Sequence, residues 1–461
     1  MPCSPSLQPL SSAEPSNGLR RRLVRGLGAT ALAPLVTAFI QLGPVPILLH
    51  AWGAAKYGDW LILSALPAYL SLSDLGFGTA SGSDMTVRVA AGDRKGALQT
   101  FQSSWLLLTV VSVLVLLVVS TTIWWIPWQR WLKLSSLSSF DAASVMLTLG
   151  VYSIVAQQAG VLESGYRCDG NFATGTLCGT ILRLIEAVVG TAVAVVGQRS
   201  LLAVAFAYLA VRAIGTVAYG LLLHRLSPWL TFGFRHAQLK TIRELWTPAL
   251  GFMAMPIGNA LSFQGFTVVV GSVLGPTMVV AFSTMRTLTR VSCQLLTVVA
   301  RVLWPELSSA FGAGNVLLAR RLHRYACQLG LAMSFLTGIL LWIIGPYAYR
   351  VWVRHSVVFD RACFGVLLVD VLASSLWLTS SIVPMSTNVH QRMALAYLAG
   401  TSFSLALAWV LIHPYGNLGA ALSLLASEAW MCWFVLPMAL RQVDDTAAEF
   451  VSAMFRVPRL G

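Results

Sequence analysis

Charged side chains inside long apolar runs are the residues of this sequence most able to do chemistry. Burying a charge in a membrane is costly, so each such residue is a candidate for binding or for ion movement. Arg286 and Arg290 are four residues apart and therefore share one face of a helix. Like charges repel there unless an anion or an acid is close, and no acid lies near them on that helix. The pair indicates a site for an anionic substrate group, with a structural role as the alternative.

The first half of the chain holds further basic candidates. Arg183 and Glu186 are three residues apart on one helix face, which predicts either a buried ion pair or part of a functional site. Arg212 stands alone in its apolar run and is a candidate by the same cost argument.

Acids in apolar runs form the second class of candidate. A carboxyl group withdrawn from water can exchange a proton near neutral pH, so Asp74, Asp370 and Glu428 are candidates for proton or ion coupling, as is Glu186. The stretch SDLGFG predicts a helix break, which favours a local capping role for Asp74. A structural role is the equal alternative for Asp370 and Glu428.

The elements that hold these residues follow from composition. Of 461 residues, 57% are hydrophobic and 10% are charged, and the mean hydropathy is +0.74. Soluble domains carry about 25% charged residues, so a cytosolic enzyme, a secreted protein and a disordered chain are excluded. Apolar runs long enough to span a membrane number twelve. They cover 27–50, 57–87, 97–126, 141–163, 171–197, 200–223, 245–273, 277–309, 319–344, 359–385, 391–412 and 416–440.

The basic residues predict the topology. Placing the N-terminus in the cytoplasm puts 19 Lys and Arg residues in cytoplasmic segments and 7 on the other side. This positive-inside excess predicts that both termini are cytoplasmic. The net charge of +14 is explained by these loops and does not indicate a nucleic-acid partner.

The spans group into two related halves. The predicted units are a cytoplasmic tail (1–25), an N-lobe of spans one to six (26–223), a cytoplasmic linker (224–244), a C-lobe of spans seven to twelve (245–440) and a cytoplasmic C-terminal tail (441–461). A shift of 222 residues aligns Gly53 with Gly275 and Gly92 with Gly314. The predicted fold class is an all-α polytopic membrane protein, with twelve transmembrane helices in two six-helix lobes related by a parallel repeat.

Enzyme motifs are absent. The sequence has no G-x-x-x-x-G-K-S/T, no H-E-x-x-H, no G-x-S-x-G and no C-x-x-C. GFGTASG at 76–82 lies in an apolar span with no strand before it, so it does not indicate a nucleotide loop. We therefore expect no catalytic residue, no metal and no cofactor.

The region from about Gly26 to Trp105 resembles the polysaccharide-biosynthesis flippases of the multidrug/oligosaccharidyl-lipid/polysaccharide exporter superfamily. The resemblance rests on GAAKYGDWLILSALPAYLSLSDLGFGTASGSDMTVRVAAGDRKGA. In it an outer G-x-x-x-Y-G-x-W turn leads into a long helix with D-L-G-x-G-x-A and an inner A-x-G-D turn. The linker LTFGFRHAQLKTIRELWTPALGFM resembles the segment before the family's seventh helix.

The resemblance implies alternating access between two lobes in the bacterial inner membrane. The implied substrate is an undecaprenyl-pyrophosphate-linked oligosaccharide, a precursor of O-antigen or exopolysaccharide, moved from the inner to the outer leaflet. Arg183, Arg212, Arg286 and Arg290 would supply the cationic groups for it. Membrane lipids, a polysaccharide polymerase and chain-length machinery are the implied partners.

Two other functions remain open at this stage. A multidrug or toxin antiporter of the same fold would export cations and would favour acids over arginines in its cavity. A membrane polymerase or ligase usually needs a large outer loop, whereas here the outer loops are short. Arg350, Arg354 and Arg361, on the loop between spans nine and ten, keep this third possibility open.

Overall fold

The computed structural model describes residues 36–74, 76–197, 200–387 and 389–455. The side chains of residues 247–248, 251–252, 295, 297–302 and 305 lie outside this description. The predicted tail 1–25 and the start of the first predicted span therefore also fall outside the described residues.

Helices account for almost all of the described chain. Those of the first half are α1 (Pro44–Ala68), α2 (Phe77–Ala90), α3 (Arg94–Thr122), α4 (Trp128–Trp131), α5 (Ser139–Cys168), α6 (Phe172–Val196) and α7 (Leu201–Leu226). Those of the second half are α8 (Leu239–Ala260), α9 (Phe266–Leu274), α10 (Pro276–Gly312), α11 (Val316–Trp352), α12 (Arg361–Ser380), α13 (Ile382–Ser386), α14 (Gln391–Tyr415), α15 (Asn417–Gln442) and α16 (Ala447–Met454). A 3₁₀ turn at Tyr69–Asp74 precedes α2, and a π-helical turn at Leu261–Gly265 joins α8 to α9.

The helix count agrees with the predicted twelve spans. Ten stretches of the described chain are long and apolar enough to cross a membrane. One of them, Val36–Ala90, has 55 residues, about 80 Å as a single helix and far more than the ~30 Å hydrocarbon core requires. It holds two spans, because Gly53 takes the non-helical angles φ 75° and ψ 169°. The 37-residue helix α10 is the remaining span, and the predicted fold class is confirmed.

The two halves form separate lobes with the same internal order. In the first lobe α5 packs on α7 and α2, and in the second its counterpart α12 packs on α15 and α10. Gly275 repeats the backbone of Gly53, with φ 88° and ψ 173°. The same shift of 222 relates Asp93, which caps α3, to Asn315, which caps α11. Equivalent residues thus make equivalent turns in both halves, as a parallel repeat requires.

The lobes touch at the end of the bundle that the topology places outside. A Cβ atom added to Gly58 on α1 would lie 2.1 Å from the Pro276 carbonyl oxygen at the start of α10. The loop before α5 is tied to α1, because the backbone N–H of Ser136 donates to the buried Asp59 carboxylate at 2.8 Å. From that loop the Lys133 ammonium donates to the Val273 carbonyl of the other lobe at 2.6 Å. We call Gly58, Pro276, Lys133 and Val273 the outer-end contact.

A short C-terminal helix, α16, packs against the N-terminal part of α11. The Arg324 guanidinium bonds both oxygens of the Asp445 carboxylate, at 2.8 and 2.5 Å, and reaches Glu449 at 3.0 Å. The Phe450 ring stacks on the buried His323 ring, with 5.4 Å between centroids. The C-terminal helix α16 is thereby braced against α11.

Substituting Gly58 should open the outer-end contact. The Gly58→Leu side chain has no room beside Pro276, so we expect the lobes to separate at this end. In a chain with Cys293 as the only cysteine, a membrane-impermeant maleimide added from this side should then label Cys293 several-fold faster. Gly160→Leu is the matched control, because a Cβ there meets nothing within 4 Å. An unchanged labelling rate in Gly58→Leu would contradict the assignment.

Removing Arg324 should destabilise the second lobe. Because the Asp445 side chain is 0% exposed, Arg324→Ala leaves a buried carboxylate unpaired and should lower the free energy of unfolding by about 2 kcal/mol. Lys240→Ala, which breaks an exposed 3.9 Å pair with Glu244, should cost under ~0.5 kcal/mol. Chemical denaturation of the two purified variants measures both free energies of unfolding. An equal loss in the two variants would contradict the stabilising role of Arg324.

Candidate functional site

A cavity of about 690 Å³ lies between the two lobes, beneath the outer-end contact. Its walls come from the first two spans, α6, the π-helical turn and its flanks, and α10. The wall residues are mostly polar: three arginines, three glutamines and several hydroxyl side chains. They include Arg183, Arg286, Arg290, Gln41, Gln264, Gln294, Thr37, Thr267, Ser283, Thr284 and Thr287. No Asp or Glu is among the described residues that line it.

The π-helical turn holds Arg286. In this turn Ser262 presents both its carbonyl and its hydroxyl to α10, and the Arg286 guanidinium donates to them at 2.7 and 2.8 Å. Arg286 is 5% exposed, and its guanidinium carbon lies 4.4 Å from the centre of the Phe263 ring. Two of its nitrogens therefore donate hydrogen bonds within the protein, so Arg286 stabilises the turn as well as lining the cavity.

Arg290 lies one turn further along α10 and makes fewer contacts with described residues than Arg286 does. Its guanidinium carbon is 4.9 Å from the centre of the same Phe263 ring, which is a cation–π distance. Among the described residues it has no ion pair within 4.0 Å. Ser283, Thr287 and Gln294 line the cavity on the same face of α10, so Arg290 lies in a polar stripe that runs along this wall.

Arg183 faces the cavity from the opposite lobe. It lies on α6, is exposed, and lines the same space as Arg290. The predicted ion pair with Glu186 does not form in the part of the chain that the structure describes. Two guanidinium groups that have no ion-pair partner among the described residues thus line one cavity from different lobes.

Glu186 forms its ion pair with Arg212 and not with Arg183. Because α6 and α7 pack together, Glu186 and Arg212 approach with two N–O distances of 2.6 Å. The Tyr152 hydroxyl donates to Glu186 at 3.2 Å and accepts from Arg212 at 3.1 Å. The expectation that Arg212 is isolated was wrong, and neither member of this pair is among the described residues that line the cavity.

Asp370 and Glu428 lie behind the arginines in the second lobe. They are 1% and 6% exposed, on α12 and α15, and both interact electrostatically with Arg286 and Arg290. The Trp377 indole N–H donates to the Glu428 carboxylate. One Asp370 oxygen has no hydrogen-bond partner among the described residues. The arginines thus have no acid near them on their own helix, as the sequence indicated, but two neighbouring helices supply acids.

Asp74 lies apart from this group, at the break before α2. Its carboxylate accepts a hydrogen bond from the Gly76 N–H at 3.0 Å, and Gly76 has φ 74°. A Cβ at Gly76 would lie 2.3 Å from the Ala249 carbonyl oxygen of α8. Asp74 therefore caps a turn that needs glycine both for its backbone angles and for the close approach of the other lobe.

Sequence reasoning missed Phe263 and the glutamines of the wall. A signal for the glutamines exists, because Gln41, Gln264 and Gln294 all lie in apolar runs where an amide needs a hydrogen-bond partner. Gln294 donates to Gln41 at 2.9 Å across the cavity. The place of Phe263 depends on the π-helical turn, which has no comparable sequence signal.

No protein-family profile and no curated protein sequence matches this chain. Solved structures do match it over nearly its whole length. The inward-facing conformation of a multidrug resistance MATE family transporter of the MOP superfamily gives a TM-score of 0.75 at 13% identity, covering 92% of this chain and 98% of that one.

Two further matching structures differ from this one, the first in its conformational state and the second in the polarity of its binding pocket. An outward-facing conformation of a multidrug resistance MATE family transporter gives a TM-score of 0.57 at 14% identity, covering 95% of this chain and 96% of that one. The second is a MOP superfamily transporter from Pyrococcus furiosus, for which a reverse polarity of the binding pocket suggests a different function. It gives a TM-score of 0.56 at 14% identity, covering 95% of this chain and 96% of that one. At these identities the likeness establishes the fold: the chain is a multi-pass membrane protein with the two-lobed architecture of MATE transporters.

Proposed function

We propose that this chain is an alternating-access transporter whose cargo is a lipid-linked oligosaccharide joined through a pyrophosphate. In this proposal undecaprenyl-pyrophosphate-linked units of O-antigen or exopolysaccharide pass from the inner to the outer leaflet of the bacterial inner membrane. The observation that carries the proposal is the position of Arg183 and Arg290, which face one cavity from opposite lobes. Guanidinium groups bind phosphate oxygens through paired, charge-assisted hydrogen bonds.

The rest of the wall suits the remainder of such a cargo. Sugar hydroxyls both donate and accept hydrogen bonds, as do the amides of Gln41, Gln264 and Gln294 and the hydroxyls of α10. A wall without a described acid favours an anion over the cations that a drug exporter would carry. These features support a phosphate-bearing, polyhydroxylated substrate.

The state of the lobes supports alternating access. The outer-end contact closes one end, and the likeness to the inward-facing structure is greater than that to the outward-facing one. With both termini in the cytoplasm, as proposed from the basic residues, the closed end is the outer one. A polysaccharide polymerase and chain-length machinery would then act on the delivered product.

Asp370 and Glu428 are the proposed coupling acids. They lie in the same lobe as Arg290 and interact electrostatically with it, so an anion bound at Arg290 changes the field at both carboxyl groups. The unpaired Asp370 oxygen is the place where a proton or a small cation would be held.

Removing either cavity arginine should weaken cargo binding while the fold persists. We expect Arg290→Gln and Arg183→Gln each to weaken binding of a polyprenyl-pyrophosphate-linked sugar by about 10- to 100-fold, since each loses a charge-assisted contact. Binding to the purified chain and flipping in proteoliposomes are the two measurements. Arg441→Gln, on the exposed end of α15, should change neither, and wild-type binding in both cavity variants would exclude this site.

A multidrug antiporter is the second candidate, because the MATE structures that share the fold include multidrug transporters. Cation export would depend on Asp370 and Glu428 and would tolerate loss of Arg290. Ethidium efflux from cells expressing the chain separates the two functions. Efflux that Asp370→Asn abolishes and Arg290→Gln spares would establish the antiporter, whereas the flippase proposal predicts no efflux above background.

A further inference from the structure

A second basic pocket lies far from the central cavity, beyond the predicted outer end of α11. It has a volume of about 440 Å³ and is lined by Arg350, His355, Ser356, Val357, Val358 and Phe359. Arg354 lies within this stretch, and Arg361 follows at the start of α12, with its guanidinium 4.7 Å from the centre of the Trp342 ring.

The cations of this loop lack acidic partners. Arg350, Arg354 and Arg361 are exposed and form no ion pair within the described ranges. The nearest acid in sequence, Asp360, uses one oxygen to accept the N–H groups of Ala362 and Cys363. Three of the 7 Lys and Arg residues predicted outside are in this one loop, against the usual preference for basic loops inside.

The backbone conformation at Arg354 is a second feature of this pocket. Arg354 ends α11 in the left-handed region, with φ 50°, and the next N–H bonds back to the Arg350 carbonyl at 3.1 Å. Glycine is the usual residue at such a helix end, and it serves at Gly92, Gly170 and Gly314 of this chain.

Within the described ranges, two other helix ends also place a non-glycine residue in this conformation, and each of these residues makes a side-chain contact. Lys133, with φ 49°, donates to the Val273 carbonyl, and Asp444, with φ 52°, pairs with Arg320 at 3.2 Å. The Arg354 side chain has no hydrogen-bond or ion-pair partner among the described residues, and its backbone N–H bonds only to the Val351 carbonyl of the same helix end, at 3.3 Å. Its strained backbone is therefore not offset by a contact inside the protein, which points to a partner outside it.

An exposed apolar stripe on α11 leads to this pocket. Leu336, Leu340, Ile343, Tyr347 and Val351 lie on one helix face and are 55–70% exposed. They span about 22 Å along the helix, more than the ~15 Å depth of hydrocarbon in one leaflet, so an acyl chain can lie against the stripe over its whole length. The stripe ends at Arg350 and Arg354, where a lipid headgroup would lie.

We propose that this pocket binds the phosphate headgroup of an anionic phospholipid whose acyl chain lies along the α11 stripe. The arginines and His355 donate hydrogen bonds to the phosphate oxygens, and the apolar stripe distinguishes a lipid from a free anion. Basic pockets at helix ends are known to select anionic headgroups in this way. The site is separate from the central cavity and does not depend on the cargo.

The test uses the full-length purified chain in detergent. Its melting midpoint is followed as phosphatidylglycerol, phosphatidylcholine or inorganic phosphate is added. We expect phosphatidylglycerol to raise the midpoint and the other two to leave it unchanged. An equal rise with phosphatidylcholine, or with inorganic phosphate alone, overturns the proposal.

Arg354→Gly separates binding from folding. Glycine relieves the left-handed backbone, so the lipid-free midpoint should rise, while the half-saturating phosphatidylglycerol concentration should increase about fivefold. Arg350→Gln should weaken binding to a similar degree, and Arg130→Gln, an exposed arginine on the same predicted side, should not. Unchanged half-saturation in Arg354→Gly and Arg350→Gln, or an equal loss in Arg130→Gln, overturns the proposal.

Discussion

The cost of holding a guanidinium group without an anionic partner inside a membrane governs the architecture of this protein. A charge at that depth is tolerated where it faces water or a counter-charge. Arg183 and Arg290 have no ion pair among the described residues, and both face the cavity between the lobes. The cavity must therefore stay hydrated or hold an anion, and the separation of the lobes serves that need.

Other charged side chains in the spans, unlike Arg183 and Arg290, are bonded to groups of the protein itself. Arg212 and Glu186 neutralise each other in the first lobe, with Tyr152 bonded to both. Arg286 is anchored to Ser262 and supports the π-helical turn. Among the described arginines of the lobes, this leaves the guanidinium groups of Arg183 and Arg290 available to a ligand at the cavity, one on each lobe. In the proposed transporter, a ligand that bridges them would link the two lobes that move against each other.

The sequence was sufficient for features that depend on local composition or on a single residue's backbone. Apolar runs predicted twelve spans, and the pairing of Gly53 with Gly275 predicted a repeat that the matching backbone angles confirm. The partner of Glu186 was not predictable, because it depends on the rotation at which α6 meets α7. The proximity of Asp370 and Glu428 to Arg290 likewise requires three helices to be placed in space, which no spacing along the chain encodes.

The π-helical turn at Leu261–Gly265 has a consequence for how this segment tolerates change. One extra residue per turn sets the face of α9 about 100° away from the face that a regular continuation of α8 would present. If the same residues formed a regular α-helix instead, Thr267 would swing off the cavity wall, and Phe266 and Val270, which are buried in the core, would be redirected. Because the turn holds one residue more than an α-helical turn, deleting a single residue within it would restore a regular helix and leave these three side chains on their present faces, whereas the same deletion in a regular helix would rotate every residue that follows.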